Sequence, residues 1–273
     1  MMRLTVSHST RYRYDPPVRN VTQSLKLSAS RFAGQQVLNW HITAEGATIG
    51  SPFVDGFGDT VFTLTASGPL DSLEVLVTGT VTTQDHAGVL KGHREKASPQ
   101  VFLRATAATR ADEAILALAQ KVKADNAQAS QLDIAHALSQ AVSDAVRYAP
   151  GSTHAHTSAA EALAEGQGVC QDHTQVLIAM ARSVGLPARY VSGYLFADAD
   201  GVPHEAAHAW AEIYIDTLGW VGFDCANRCC PTEYYIRLGS GLDARDAAPI
   251  RGIHSGGSEE QLDVSVVVKQ SQQ

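Results

Sequence analysis

Gly166-Gln167-Gly168-Val169-Cys170-Gln171-Asp172 runs into Val176, Leu177, Met180 and Ala181 and stops at Gly185-Leu186-Pro187. The apolar positions recur at helical spacing, so residues 171–184 are predicted to form a helix, with Cys170 between it and a glycine-rich turn. A cysteine at that place faces the positive end of the helix dipole, which favours thiolate over thiol. The glycines let backbone pass close to a substrate. N–H groups at the helix start, that of Cys170 among them, are suited to receive a developing oxyanion. Taken alone, a free cysteine is more often a buried, inert thiol.

A thiol nucleophile also needs an imidazole to hold its proton and return it to the leaving amine, and a third group to orient that imidazole. His208 opens the strand-like run His208-Ala209-Trp210-Ala211-Glu212-Ile213-Tyr214-Ile215, and Asp224 ends the next one, Val221-Gly222-Phe223-Asp224. If the two runs are antiparallel neighbours joined at Leu218-Gly219, His208 and Asp224 fall close together. Cys170, His208 and Asp224 are therefore the candidate nucleophile, acid/base and orienting carboxylate.

Working outward, the segments 4–8, 10–14, 21–27, 37–43, 61–65 and 73–83 read as strands, with breaks at Asp15-Pro16-Pro17 and Asp55-Gly56-Phe57-Gly58-Asp59. Short strands between turns suggest an antiparallel β-sandwich. Residues 86–101 are polar, contain Gly and Pro, and look like a linker. Helical periodicity takes over in 111–124 and 131–146, and Ser158-Ala159-Ala160-Glu161 has the form of a capping box. Residues 188–195 read as a further strand. The division expected is an N-terminal β-sandwich over 1–98 and a catalytic domain over 99–273.

Lys plus Arg number 21 against 28 Asp plus Glu, a net charge of -7, and no basic cluster stands out, so no nucleic-acid partner is expected. No apolar run approaches the ~20 residues of a membrane span, and the N-terminus lacks a signal-peptide core, so no membrane association and a cytoplasmic address are expected. The four cysteines (Cys170, Cys225, Cys229 and Cys230) are too few for a disulfide framework in such a chain and are expected as reduced thiols. The oligomeric state is not legible.

Four pieces in order resemble the transglutaminase-like superfamily, in particular bacterial members classed as candidate cysteine proteases. They are the Cys170 segment, Gly185-Leu186-Pro187-Ala188-Arg189-Tyr190-Val191-Ser192-Gly193-Tyr194, His208-Ala209-Trp210, and Gly219-Trp220-Val221-Gly222-Phe223-Asp224. Arg11-Tyr12-Arg13-Tyr14-Asp15 with Pro17-Val18 resembles the strand-rich N-terminal region of the same bacterial group. The resemblance implies an α+β fold: a papain-like transglutaminase core, with the Cys helix on an antiparallel sheet, preceded by the β-sandwich. It implies the same three catalytic roles, a peptide or amide substrate, and no cofactor or metal. Peptidase or amidase action is the leading expectation, with protein-glutamine transglutaminase activity and a non-enzymatic binding module as alternatives. The chain departs from the family pattern at His173, where an aromatic is usual, at Cys225-Ala226, and across 241–246.

Other readings compete. His204-Glu205-Ala206-Ala207-His208 matches the H-E-x-x-H motif of zinc metallopeptidases, with Glu233 as a third ligand, but that motif works on a helix and Gly201-Val202-Pro203 precedes it. Cys225, Cys229 and Cys230 with His173 lack the spacing of a common structural zinc site. His154 and His156 read as a solvated loop pair. Tyr148, before the Cys helix, is a candidate oxyanion donor. Trp210 and Trp220 read as core, and Asp172 as a structural acceptor in the first turn of the Cys helix.

Overall fold

The computed structural model describes residues 1–196, 207–256 and 259–271. Two long strands organise the N-terminal half, β1 (Met2–Leu25) and β5 (Thr60–Thr83). Flanking β5 are β2 (Gln35–Thr43), β3 (Thr48–Ile49) and β4 (Phe53–Val54). The alternation of β1 is that of a half-buried strand, with Leu4, Val6, Tyr12 and Tyr14 inward. The expected break at Asp15-Pro16-Pro17 does not end the strand. Proline removes a ladder donor, and the pairing with β5 is interrupted there, between Arg13 and Val18. The chain stays extended because its other flank is still paired: Tyr14 lies opposite Glu260 and Asp15 opposite Glu259.

Those partners come from the far end of the sequence. β12 (Ile250–Ser255) and β13 (Glu259–Gln270) run back along β1, with Leu25 opposite Ile250 and Leu4 opposite Gln270. Among the described residues, seven strands form this antiparallel sheet. The stretch 99–273 thus supplies strands to both halves of the molecule.

The polar segment 86–101 does not behave as a tether. The Leu90 N–H donates to Trp220 O at 2.9 Å, and the Ala97 N–H to Gly56 O at 2.9 Å. Glu95 receives Arg189 and the Trp220 indole N–H. Polar composition looks the same whether a charge faces water or a buried cation, which is why the sequence suggested a linker. A short 3-10 turn (Pro99–Leu103) then buries Phe102 against Trp220.

Four helices follow: α1 (Glu113–Asp125), α2 (Gln131–Ala145), α3 (Ala159–Glu165) and α4 (Cys170–Ser183). Asp112 caps α1, and capping boxes formed by Ser130 with Asp133 and Ser158 with Glu161 start α2 and α3. Gly166, at φ 64°, ends α3 in the left-handed conformation. The second sheet is antiparallel, in the order β10 (Gly219–Phe223), β9 (Ala207–Ile215), β8 (Ala188–Leu195), β11 (Tyr235–Gly241).

α4 is buried all round, from Asp172 to Arg182. It lies between the other helices and strands β8 and β9, as a helix without a solvent face must. Its polar groups find partners inside: Thr174 donates to Cys170 O, Gln175 to Thr157 O, and Arg182 to Ala188 O and Leu242 O. The second sheet is covered on both sides. Ala211, Ile213 and Phe223 pack in the helical core, while Tyr194, Ile236 and Leu238 join the core of the first sheet. Among the described residues no helix is long and apolar enough to cross a membrane.

Candidate active site

Cys170 is the first residue of α4 and is partly exposed. Two short parallel strands present it, β6 (Arg147–Tyr148) and β7 (Gln167–Gly168), with Tyr148 in register with Gly168. Asp172 sets the turn from β7 into α4. Its Oδ2 accepts the Val169 N–H at 2.8 Å and the Thr153 hydroxyl at 2.6 Å. The carboxylate passes so close to Gly168 that a Cβ there would sit 2.6 Å from it. A glycine is therefore needed at 168 for contact reasons. The first intrahelical acceptor is Val169 O, which takes the Asp172 and His173 N–H groups. The N–H groups of Cys170 and Gln171, in the first turn, face the open end of the helix.

β9 and β10 form the antiparallel pair expected, with Phe223 opposite Ala211, and their ends bring Asp224, one residue past that rung, beside His208, three residues before it. His208 Nε2 lies 2.6 Å from Asp224 Oδ2, with the side chains 8% and 1% exposed. The Cys170 side chain lies near enough to the imidazole to favour its charged form. His208 is thus in direct contact with Asp224, with Cys170 close enough to act on its charge. Burial on its own opposes a charged imidazole. The Asp224 carboxylate outweighs it, with hydrogen bonds to Asp224 and Cys170 adding to the effect, and holds His208 up to about 10. Burial likewise opposes charge on Asp224. The His208 cation and hydrogen bonds from His208, Asn227 and Tyr235 override it and keep the carboxyl below its usual range.

Two of those partners were not singled out in the sequence. The Tyr235 hydroxyl donates to Asp224 Oδ2 at 2.7 Å, and Asn227 donates to Asp224 through both its side chain (2.8 Å) and its backbone N–H (3.2 Å). Asp224-Cys225-Ala226-Asn227 carries an Asx-type turn signal that points to Asn227. Tyr235 has no local signal, since it opens a strand from the opposite edge of the sheet. Trp210, buried as expected, stacks 6.5 Å from the His208 ring and meets Tyr235 edge-on.

Tyr148 is half exposed and lies 6.2 Å, ring to ring, from His173. His173 is buried, with Nδ1 2.9 Å from Val169 O and Nε2 2.7 Å from Val146 O, so it ties the start of α4 to the end of α2. All four cysteines are free. Burial pushes Cys225 up to about 12 and Cys230 up to about 11, and also raises Cys229. Among the described residues no three His, Cys, Asp or Glu side chains converge as a metal site would require. His204, Glu205 and Ala206 of the H-E-x-x-H match lie outside the described residues. Ala207 and His208 belong to a strand, which is not the helix the motif needs.

Residues 116–225, which contain all three candidate residues, match the transglutaminase-like superfamily, and residues 4–82 match the bacterial transglutaminase-like N-terminal region. An uncharacterized protein of Mycobacterium leprae is 30% identical over 280 residues, covering 98% of this chain and 99% of its own. An uncharacterized protein of Mycobacterium tuberculosis is 39% identical over 131 residues, 44% of this chain and 42% of its own. A crystal structure of a candidate cysteine protease from Cytophaga hutchinsonii superposes with a TM-score of 0.75 at 22% identity, over 100% of this chain and 91% of that one, so the two share a fold.

Proposed function

The chain belongs to the transglutaminase-like superfamily, and from that premise we propose that it is a cysteine-dependent amide acyl-transfer enzyme, acting as a peptidase or amidase through a thioester. The observation that carries this reading is the imidazole of His208, bonded to the Asp224 carboxylate at 2.6 Å and near enough to Cys170 for the thiol to favour its charged form. An imidazole raised to about 10 carries a proton at neutral pH, ready for a leaving amine.

The sulfur of Cys170 attacks the substrate carbonyl carbon, and the carbonyl π pair moves to oxygen. The Cys170 N–H at the start of α4 receives that oxyanion, with the Tyr148 hydroxyl as a candidate second donor. On collapse the C–N bond breaks and the amine leaves with the proton of His208, so a thioester and a neutral imidazole remain. Water then gives a proton back to His208 as it attacks, the C–S bond breaks, and the acid departs. Asp224 holds the ring for both transfers and stays ionised.

The test is a panel of peptide and small amide substrates, each assayed with and without a primary amine. Release of amine by the native chain, abolished in Cys170→Ala, is the expected result. Amine incorporation in preference to hydrolysis would replace peptidase with transferase. Equal turnover by native and Cys170→Ala protein would remove the thiol from the chemistry altogether.

A further inference from the structure

A groove of about 790 Å³ lies in the first half of the molecule, and none of the residues that line it belongs to the triad. Four consecutive residues of β2 line it: Trp40, His41, Ile42 and Thr43. Successive side chains of a strand point to opposite faces, so a cavity touching all four reaches the strand's backbone as well as its side chains. β2 ends the strand order of its sheet. Its inner flank is paired with β5, His41 opposite Thr78 and Ile42 opposite Val77. No other described segment hydrogen-bonds the backbone of residues 38–43. That leaves a row of main-chain donors and acceptors facing the groove, the arrangement that another extended chain can complete.

The wall of the groove differs in charge from the rest of the protein. Acidic residues outnumber basic ones in the chain, 28 to 21, yet no Asp or Glu lines this groove, whereas Arg31 and Arg94 do. Both arginines are exposed. The His93 side chain beside them is 5% exposed, with its Nδ1 4.0 Å from Glu95 Oε2. Apolar contact is supplied by Trp40, Ile42 and Phe62. A volume of this size suits a short peptide or a drug-sized molecule. The open main-chain edge favours the peptide, because only another backbone repeats its donors and acceptors at strand spacing.

We propose that this groove is a docking site for an extended acidic peptide segment, which adds to the outer edge of β2 with its carboxylates against Arg31 and Arg94. Its alternate apolar side chains rest on Trp40 and Ile42. Neither Cys170 nor its chemistry enters this mode of binding, so docking and turnover fail independently.

The experiment uses the full chain carrying Cys170→Ala, to prevent turnover, and fluorescein-labelled ten-residue peptides alternating Glu/Val or Lys/Val, read by anisotropy. The acidic peptide is expected to bind, and to bind less well as salt rises. The double substitution Arg31→Glu/Arg94→Glu should weaken it roughly tenfold or more while leaving the circular dichroism spectrum unchanged. An acidic peptide N-methylated at alternate amides should lose binding, because strand addition needs those N–H groups. Equal affinity for the two peptides, undiminished binding by the double variant, or no binding of the acidic peptide to folded protein would overturn the proposal. Undiminished binding of the N-methylated peptide, or displacement of the acidic peptide by octanoate at equal concentration, would overturn strand addition as the mode.

Discussion

Asp224 is a buried carboxylate that would be costly to keep charged without donors, and the structure surrounds it with His208, Asn227 and Tyr235. Of these, the Tyr235 hydroxyl is the most easily removed without disturbing packing, since its ring is held edge-on against Trp210 at 5.5 Å. In Tyr235→Phe the carboxylate loses a donor that helps keep its pKa low. A hydrogen bond to a charged group contributes about 1.5–3 kcal/mol, so kcat should fall roughly tenfold with KM nearly unchanged. The acid limb of the pH–rate profile should also move to higher pH, because Asp224 then takes up its proton earlier. A profile that stays in place while kcat falls would assign Tyr235 a packing role only. The Cys229 thiol, 3.4 Å from the same hydroxyl, stands one bond further out along this chain of contacts.

At the scale of elements, the approach to α4 decides whether the nucleophile is presented at all. A chain leaving β7 must turn into the helix within Val169, and Asp172 reaches back to close that turn on the Val169 N–H. Gly168→Ala places a methyl group 2.6 Å from Asp172 Cβ and Oδ2. Neither atom is the loose end of a long side chain, so the turn or the helix must shift. Overpacking of this kind typically costs about 1–3 kcal/mol, visible as a lower midpoint in urea. Labelling of Cys170 by iodoacetamide near neutral pH should slow in the same variant. The other cysteines make this readable, since burial raises Cys225, Cys229 and Cys230 and leaves little thiolate on them. Native stability together with native labelling kinetics in Gly168→Ala would show that the turn has slack the structure does not suggest.

Across the whole molecule, the two sheets are joined by buried charge as well as by apolar packing. Glu212 of β9 accepts from Arg189 at 2.6 Å and from Arg237 at 2.9 Å, and Arg237 reaches Asp59 at 3.0 Å beside β5. Burial alone would raise Glu212, but the two guanidinium groups override it and hold its carboxyl down to about 2. The folded pKa lies below the ordinary carboxylate value of about 4.5, so the stabilisation is present above about 4.5 and disappears as pH falls toward 2. Glu212→Gln takes one carboxylate partner from each of two buried cations, leaving Glu95 to Arg189 and Asp59 to Arg237, and the lost charged hydrogen bonds should cost about 1.5–3 kcal/mol. The variant should melt well below the native protein at pH 7, and the gap should narrow as pH drops below 4. A gap that is constant with pH would mean the loss comes from shape and not from charge.

How far the sequence alone carries this protein depends on how local each feature is. Periodicity within β1 reports which face is buried, because burial acts on neighbouring residues of one segment, whereas in α4 it marks the helix but not that its polar side is buried as well; the capping boxes at Ser130 and Ser158 are written within four residues. The β9–β10 hairpin is also local, which is why His208 and Asp224 could be paired in advance. The return of β12 and β13 to β1, the strapping of Glu95 to Arg189, the Tyr235 bond to Asp224 and the open flank of β2 were not legible. Each joins segments far apart in the chain, and a side chain carries no mark of a distant partner until the fold has brought the two within a few ångströms.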